Sequence, residues 1–158
     1  MPSRTLILSM VVLVSPSLVD AQETDPVFFS EVISWDKVRT GETVILDQLT
    51  FVADSAQLTE EHLWILDDLS VYLLQHPRLR ITITGHTNTK PQHAYCDALS
   101  AARAEAVKAY LVTMGVPEEV ITTIGMGKQQ PLYPDDTYDP QKQRRNQRVE
   151  VKLEEVKE

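Results

Sequence analysis

The chain has 158 residues, of which 42% are hydrophobic and 24% are charged, and this composition suits one compact domain with its own core. Two full domains do not fit into this length. The formal net charge is −8, which repels the phosphates of nucleic acid in the absence of a basic patch, so nucleic acid is not expected as a partner.

Residues 1–21 have the layout of a secretory signal peptide. Arg4 and the free amine precede an apolar run over 5–14, which is too short to cross a membrane, since about 20 apolar residues are needed. We expect cleavage after Ala21, so that the mature chain begins at Gln22 and contains no transmembrane segment. An uncleaved anchor is the alternative.

The only cysteine is Cys96, so no internal disulfide can form. No cysteine lies near the signal segment, and we therefore predict that the protein is not a lipoprotein. The expected location is the periplasm, with association with the outer membrane left open.

The segment over 22–40 contains Phe28, Phe29 and Trp35 but has no regular hydrophobic period. It is predicted to be a leader that either packs on the domain or leads into it. The domain itself is expected over 41–154, followed by a short tail over 155–158.

The domain is predicted to begin with a strand over 44–51, with or without a bulge at Asp47 and Gln48. A helix follows, with Thr59 as its N-cap, and ends at His76 before Pro77. The first strand and the first helix therefore form one β-α unit.

The second half of the domain has clearer patterns. Leu79, Ile81 and Ile83 alternate with polar residues and predict a half-buried strand. A second helix is expected over 97–114 with Gly115 as its left-handed stop. A third strand over 120–124, a loop over 125–145 and a last strand over 149–153 complete the domain. The order β-α-β-α-β-β predicts an α/β two-layer sandwich.

Three motifs, in this order and spacing, are similar to the OmpA-like family, which includes the peptidoglycan-associating domains of OmpA, Pal and MotB. The family forms are GHTD, NxxLSxxRA and NRRVE. Here they correspond to Gly85-His86-Thr87-Asn88, to Leu99-Ser100-Ala101-Ala102-Arg103-Ala104 and to Asn146-Gln147-Arg148-Val149-Glu150. The resemblance covers about Glu42 to Leu153.

The resemblance implies a non-catalytic domain that binds the stem peptide of peptidoglycan, chiefly the ammonium and carboxylate at the free end of diaminopimelate. In the family the acid of GHTD meets the ammonium and the arginine of LSxxRA meets the carboxylate. These positions are Asn88 and Arg103 here, so one of the two charges is missing. A guanidinium near a helix start is a sensible partner for a carboxylate.

Two further family contacts are substituted, since Cys96 stands at the asparagine of NxxLSxxRA and Gln147 at the first arginine of NRRVE. A weakened binder is therefore expected, in which Asp54 is a candidate source of the missing negative charge. The full set of implied ligand contacts is Asp54, Thr87, Asn88, Cys96, Arg103, Asn146, Gln147 and Arg148.

Simpler explanations exist for several of these residues. Arg103 would be a surface cation paired with Asp97 or Glu105, and Asn88 would be only a turn former. Asn146 and Arg148 would brace the loop before the last strand. Cys96 would be a packed small hydrophobe, or a reactive thiol if its surroundings were open.

No sequence pattern predicts an enzyme, a metal site or a cofactor. Histidine, serine and aspartate can be selected from almost any chain of this length, and no nucleophile elbow or metal-ligand spacing accompanies them. The partner expected is peptidoglycan, together with outer-membrane or other envelope proteins. The alternative function is a degenerate domain that acts as a protein–protein interaction module in the cell envelope.

Overall fold

The computed structural model describes residues 25–32 and 34–156. The predicted signal peptide over 1–21 and the predicted mature N-terminus at Gln22 lie outside the described residues. The described strands are β1 (Val27–Phe28), β2 (Thr43–Ile45), β3 (Leu79–Gly85), β4 (Ile121–Gly125) and β5 (Val149–Glu155). The described helices are α1 (Phe29–Val32), α2 (Trp64–Gln75), α3 (His93–Thr113) and α4 (Pro140–Asn146), with 3₁₀ turns at Trp35–Lys37 and Glu118–Val120.

The strands form one sheet in the order β1-β2-β5-β3-β4. β5 pairs antiparallel with both β2 and β3, whereas β3 pairs parallel with β4. The apolar residues that alternate along β3 and β5 are buried in one core with leucines of α2 and with Ala104, Val107 and Leu111 of α3. The predicted α/β sandwich is therefore confirmed, with its helices on one face of the sheet.

α3 packs unusually close to the ends of two strands. A Cβ atom at Gly85 would lie 2.1 Å from the backbone oxygen of Ser100, and one at Gly125 would lie 2.7 Å from the backbone nitrogen of Ala101. Only residues without a side chain fit here. After the helix, Gly115 has φ of +97°, as expected for the left-handed stop.

The region between β2 and α2 differs from the prediction. The strand ends at Ile45 instead of continuing to Phe51, which forms only an isolated bridge with Leu58. Thr59 is not an N-cap, because its hydroxyl lies 2.6 Å from that of Thr50 across this bridge. The chain then turns at His62, where φ is +64°, and the helix begins at Trp64.

A helix replaces the second part of the loop predicted over 125–145. The carboxylate of Asp139 accepts hydrogen bonds from the backbone nitrogens of Gln141 and Lys142, at 2.9 and 3.2 Å, and Pro140 occupies the first turn. An N-cap aspartate followed by proline is a strong helix start. α4 is therefore a local feature of the sequence that the loop prediction missed.

The leader packs on the domain. Val27 and Phe28 pair with Val44 and Ile45 of β2. Trp35 is buried, and its indole nitrogen donates to the backbone oxygen of Ile65 at 3.2 Å. Of the two arrangements that the sequence left open for this segment, the described residues adopt the packed one.

Candidate functional site

Arg103 is buried on α3 without a charged partner. Its side chain is 5% exposed, its Nε donates to the backbone oxygen of Ser55 at 3.1 Å, and its guanidinium lies 5.0 Å from the centroid of the Phe51 ring. Among the described residues no carboxylate comes within 4.0 Å of it, so it pairs with neither Asp97 nor Glu105. Burial lowers its pKa, because the charge has lost solvent.

A groove of about 720 Å³ opens beside Arg103, and we call it the arginine groove. Four arginines and two acids line it, together with the rings of Phe28 and Phe51. The charged lining residues are Arg103, Arg144, Arg145, Arg148, Asp47 and Glu61. Gln147 also lines it, so three of the residues that the sequence singled out, Arg103, Gln147 and Arg148, meet here.

Asp54 lies near Arg103, where its charge opposes the lowering of the arginine pKa by burial. Its carboxylate accepts a hydrogen bond from the hydroxyl of Tyr95, on α3, at 3.2 Å. The loop that carries Asp54 thus reaches the α3 side of the site. No hydrogen bond joins Asp54 to Asn88 within the described part of the chain.

The loop after β3 holds polar atoms that have no partner. Thr87 Oγ1, Asn88 Oδ1 and Asp97 Oδ1 are buried and form no hydrogen bond with the described residues. Gly127 lies next to two of these residues. Its backbone oxygen accepts a hydrogen bond from the Thr87 nitrogen at 2.8 Å, and a Cβ atom at Gly127 would lie 2.2 Å from Asp97 Oδ1. The Thr87 backbone, Gly127 and the Asp97 side chain therefore lie close together at the start of α3.

Cys96 is fully buried beside the same loop. Its sulfur lies 3.7 Å from the backbone oxygen of Pro91 and 4.0 Å from that of Asn88. This position agrees with a packed small side chain, and it leaves the thiol without the open surroundings that reactivity requires.

Asn146 belongs to a different cluster, in which every polar group is paired. Its amide oxygen accepts from the backbone nitrogen of Tyr133 at 2.9 Å, and its amide nitrogen donates to Tyr133 O and to Asp136 Oδ2, both at 2.8 Å. Asp136 also accepts hydrogen bonds from the backbone nitrogen and the hydroxyl of Thr89. These contacts favour the bracing role for Asn146.

Burial opposes ionisation of Asp136, but the hydrogen bonds from Thr89 and Asn146 together outweigh it and hold its pKa below the ordinary value. Asp136 was not singled out in the sequence, because an aspartate among turn residues gives no sign that it will be buried. Asp136 and Asn146 together fix the loop after β3 to α4.

Arg148 is also engaged within the protein. It donates to Glu150 Oε1 at 2.6 Å and to the backbone oxygens of Gln130 and Asn146, at 3.1 and 3.4 Å. His86 Nε2 lies 3.5 Å from the other oxygen of Glu150. Burial raises the pKa of Glu150, yet His86 and Arg148 outweigh burial and leave it lowered. Arg148 thus lines the groove with little hydrogen-bonding capacity to spare.

Arg144 and Arg145 are the groove residues that sequence reasoning missed. They lie in the last turn of α4, and the loop prediction over 125–145 gave them no fixed position. The Asp139-Pro140 helix start is the signal that could have revealed them.

Comparison with known proteins identifies the family. Residues 50–147 match the model of the OmpA family. The chain is 36% identical over 86 residues to the peptidoglycan-associated lipoprotein of Rhizobium meliloti strain 1021, a match covering 54% of this chain and 49% of that protein. It is 30% identical over 118 residues to the probable lipoprotein YiaD of Escherichia coli K12, covering 73% and 53% respectively.

The fold has a solved counterpart in the crystal structure of the peptidoglycan-associated lipoprotein from Burkholderia pseudomallei. The two share 26% identity and a TM-score of 0.61, over 68% of this chain and 87% of that one. The chain spans about half the length of the curated relatives it matches.

The prediction that the protein is not a lipoprotein was wrong. Relatives from several bacteria are named peptidoglycan-associated lipoproteins. Because the chain spans only about half of their length, the lack of a cysteine near residues 1–21 is no ground for excluding a lipid anchor. Within the described residues, no helix combines the length and apolar character needed to cross a membrane.

The family match extends over more than half of the chain, and the three motifs and the sandwich topology agree with it. The chain belongs to the OmpA family.

Proposed function

We propose that this protein binds peptidoglycan noncovalently in the cell envelope, through the diaminopimelate of the stem peptide, and does not convert it chemically. The observation that carries the proposal is the buried guanidinium of Arg103, which lacks a carboxylate partner among the described residues. Relatives of this chain include a peptidoglycan-associated lipoprotein and a peptidoglycan-binding protein, and these names support the same ligand.

Arg103 is suited to receive the carboxylate. Ser55 and Phe51 hold one edge and one face of the guanidinium, so its remaining N–H groups are oriented before a ligand arrives. A hydrogen bond to a charged group contributes about 1.5–3 kcal/mol, and it counts most where solvent is already displaced. A bound carboxylate would also neutralise a buried charge.

The ammonium has acceptors at the start of α3. An ammonium has three donors, and Thr87 Oγ1, Asn88 Oδ1 and Asp97 Oδ1 provide three buried oxygens that lack partners in the described structure. Asn88 carries no charge, so we assign the negative charge to Asp97. Asp54, the candidate from the sequence, is the weaker choice because it is engaged by Tyr95 beside Arg103.

The test is binding to purified sacculi and to free diaminopimelate. We expect Arg103→Ala to weaken diaminopimelate binding by about tenfold or more, since it removes at least one charge-assisted hydrogen bond. Arg78→Ala is the matched control, because Arg78 is exposed, pairs with Glu155 and lies just before the far end of β3. If Arg103→Ala sediments with sacculi as well as the wild type does, the proposal fails.

The alternative of a protein–protein interaction module rests on the substituted positions Asn88, Cys96 and Gln147 and on the aromatic leader residues, and two of those aromatics do not support it. That alternative would be favoured by exposed aromatic residues in the leader, but Phe29 and Trp35 are 1% and 2% exposed. They belong to the core of the domain, where they stack with ring centroids 5.0 Å apart.

A further inference from the structure

We propose that Arg144 and Arg145 form a second anion subsite in the arginine groove, which takes another carboxylate of the stem peptide while Arg103 takes that of diaminopimelate. This inference rests on the proposed function and names a further contact of the same ligand. The occupant is thus an acidic peptide with at least two carboxylates, of which one belongs to the residue that precedes diaminopimelate.

α4 presents the two arginines from a fixed position. The Asp139 cap fixes the first turn of this helix, and the buried amide of Asn146 fixes its last residue to Tyr133 and Asp136. Arg144 and Arg145 lie directly before Asn146. Their backbone is therefore held, while both residues remain exposed to solvent.

The two arginines differ from the neighbouring Lys142 in their contacts with the described residues. Lys142, in the same helix, pairs with Asp135 at 2.7 Å. In the described residues Arg144 forms no hydrogen bond or salt bridge, and Arg145 has only a 3.5 Å contact between Nη1 and the hydroxyl of Tyr133. Their charges are available to a ligand.

Within the arginine groove, the surroundings of Arg145 resemble those of Arg103. The guanidinium of Arg145 lies 6.0 Å from the centroid of the Phe28 ring, as that of Arg103 lies 5.0 Å from the Phe51 ring. An aromatic ring below a guanidinium orients it and leaves its edge free for an oxygen ligand. The groove therefore offers two arginine–aromatic pairs within one cavity.

The charge of the groove runs against that of the whole protein. The chain has a formal net charge of −8, yet the groove is lined by four arginines and two acids. One of the acids, Asp47, is engaged by the nitrogen and hydroxyl of Ser30, at 3.1 and 2.5 Å. An anionic ligand is thus favoured at this place on a protein that repels anions in general.

Part of the subsite lies outside the region that the OmpA family model matches. Phe28 and Ser30 precede residues 50–147, and they line the groove only because the leader packs on β2. The subsite thus gives the leader a role in ligand binding that the family match does not describe.

The experiment compares three ligands by calorimetry with the protein at low salt: free meso-diaminopimelate, the tripeptide L-Ala-γ-D-Glu-meso-diaminopimelate, and the same tripeptide with the glutamate α-carboxylate amidated. The wild type should bind the acidic tripeptide about tenfold more tightly than the amidated one. In the Arg144→Gln/Arg145→Gln double variant this ratio should fall to about one, with the affinity for free diaminopimelate unchanged. Arg78→Gln, remote from the groove, should keep the wild-type ratio.

Each outcome separates the inference from the proposed function. If the wild type binds free diaminopimelate but does not discriminate between the two tripeptides, or if the double variant discriminates as the wild type does, the subsite is wrong and the proposed function stands. If the wild type binds none of the three ligands, both are wrong. Circular dichroism of the double variant establishes that a lost ratio is not a loss of folding, since both side chains are exposed and α4 keeps its cap.

Discussion

The loop after β3 meets two polar clusters that differ in whether their groups are paired within the protein. On one side Thr89, Asp136 and Asn146 form a buried network in which each donor and acceptor has a partner. On the other side Thr87, Asn88 and Asp97 bury oxygens that have no partner among the described residues, and on the same helix as Asp97 the buried Arg103 forms no salt bridge with any described residue.

This difference separates structure from function within a single set of motif residues. Asn146 and Arg103 both belong to the motifs that identify the family, and both are buried. A paired polar cluster stabilises the fold, whereas an unpaired one costs free energy unless a ligand completes it. We therefore expect changes in the first cluster to lower stability and changes in the second to lower binding.

The largest effect is expected from Asp136→Ala. The change removes the acceptor of the Thr89 nitrogen and hydroxyl and one of the two acceptors of the Asn146 amide nitrogen, which keeps Tyr133 O, and it should lower the free energy of unfolding by about 3 kcal/mol. Urea denaturation at neutral pH measures this. The neighbouring Asp135→Ala is the control, because Asp135 is exposed and its ion pair with Lys142 lies on the surface. Equal stabilities of the two variants would contradict the assignment.

A smaller and pH-dependent loss is expected from Glu150→Gln. Folding lowers the pKa of Glu150, so its contribution to stability is present above the ordinary pKa of glutamate and is lost as the pH falls through the folded-state value. The variant should be about 2 kcal/mol less stable than the wild type at pH 7, and the difference should shrink steadily below about pH 5.

Urea midpoints measured across this pH range test the prediction, with Glu154→Gln as the control. Glu154 lies on the same face of β5 but is half-exposed, and its carboxylate lies 3.5 Å from the ammonium of Lys152. A difference for Glu150→Gln that stays constant with pH would rule out a titrating carboxylate as its cause.

In the unpaired cluster, Asp97→Asn should reduce the affinity for diaminopimelate by about tenfold, or about 1.4 kcal/mol, while leaving stability close to that of the wild type. Stability should change little because Asp97 Oδ1 forms no hydrogen bond within the described structure. Affinity should fall because we assign the Asp97 carboxylate to the binding of the ligand's ammonium. Calorimetric titration measures the affinity, and Asp68→Asn, on the exposed face of α2, is the matched control. A stability loss without a change in affinity would place Asp97 in the structural cluster instead.

The smallest effect is expected from Asn88→Asp, which restores the acid that the family motif has at this position. We expect a gain in diaminopimelate affinity of about threefold to tenfold, less than a full ion pair contributes, because Asp97 already provides a charge nearby. Asn88→Ala, measured in the same titration, gives the contribution of the amide alone. No gain from the acid would mean that the loop carries Asn88 on a different path from that of the family.

The sequence was sufficient for the half of the fold in which the hydrophobic pattern has the period of the secondary structure. Burial alternates over all seven residues of β3 and from Val149 to Leu153 in β5, and α3 has its glycine stop. The sequence was insufficient between β2 and α2. Thr59 is a residue type that favours an N-cap, but its hydroxyl forms a hydrogen bond with that of Thr50. Local composition does not reveal a competing partner nine residues away.

For the candidate site, the sequence motifs selected the residues, but tertiary contacts that the sequence does not reveal distinguish one residue from another. Arg103 was predicted to bind the ligand, yet nothing in the sequence shows that it is buried and forms no salt bridge with the described residues. Asn146 was placed in the same set, although the partners that engage it, Tyr133 and Asp136, lie in a loop without any hydrophobic period. Arg144 and Arg145 were missed because the groove forms only when the leader and α4 meet.

The two glycines beneath α3 set the dimensions of the binding site. Gly85 ends the strand that leads to Thr87 and Asn88, and Ser100 of the helix rests directly on it, three residues before Arg103. The spacing between the backbone that carries Thr87 and Asn88 and the helix that carries Arg103 is therefore fixed by backbone-to-backbone contact. In the proposed site, the two halves cannot shift relative to each other without disturbing the packing of α3 on β3.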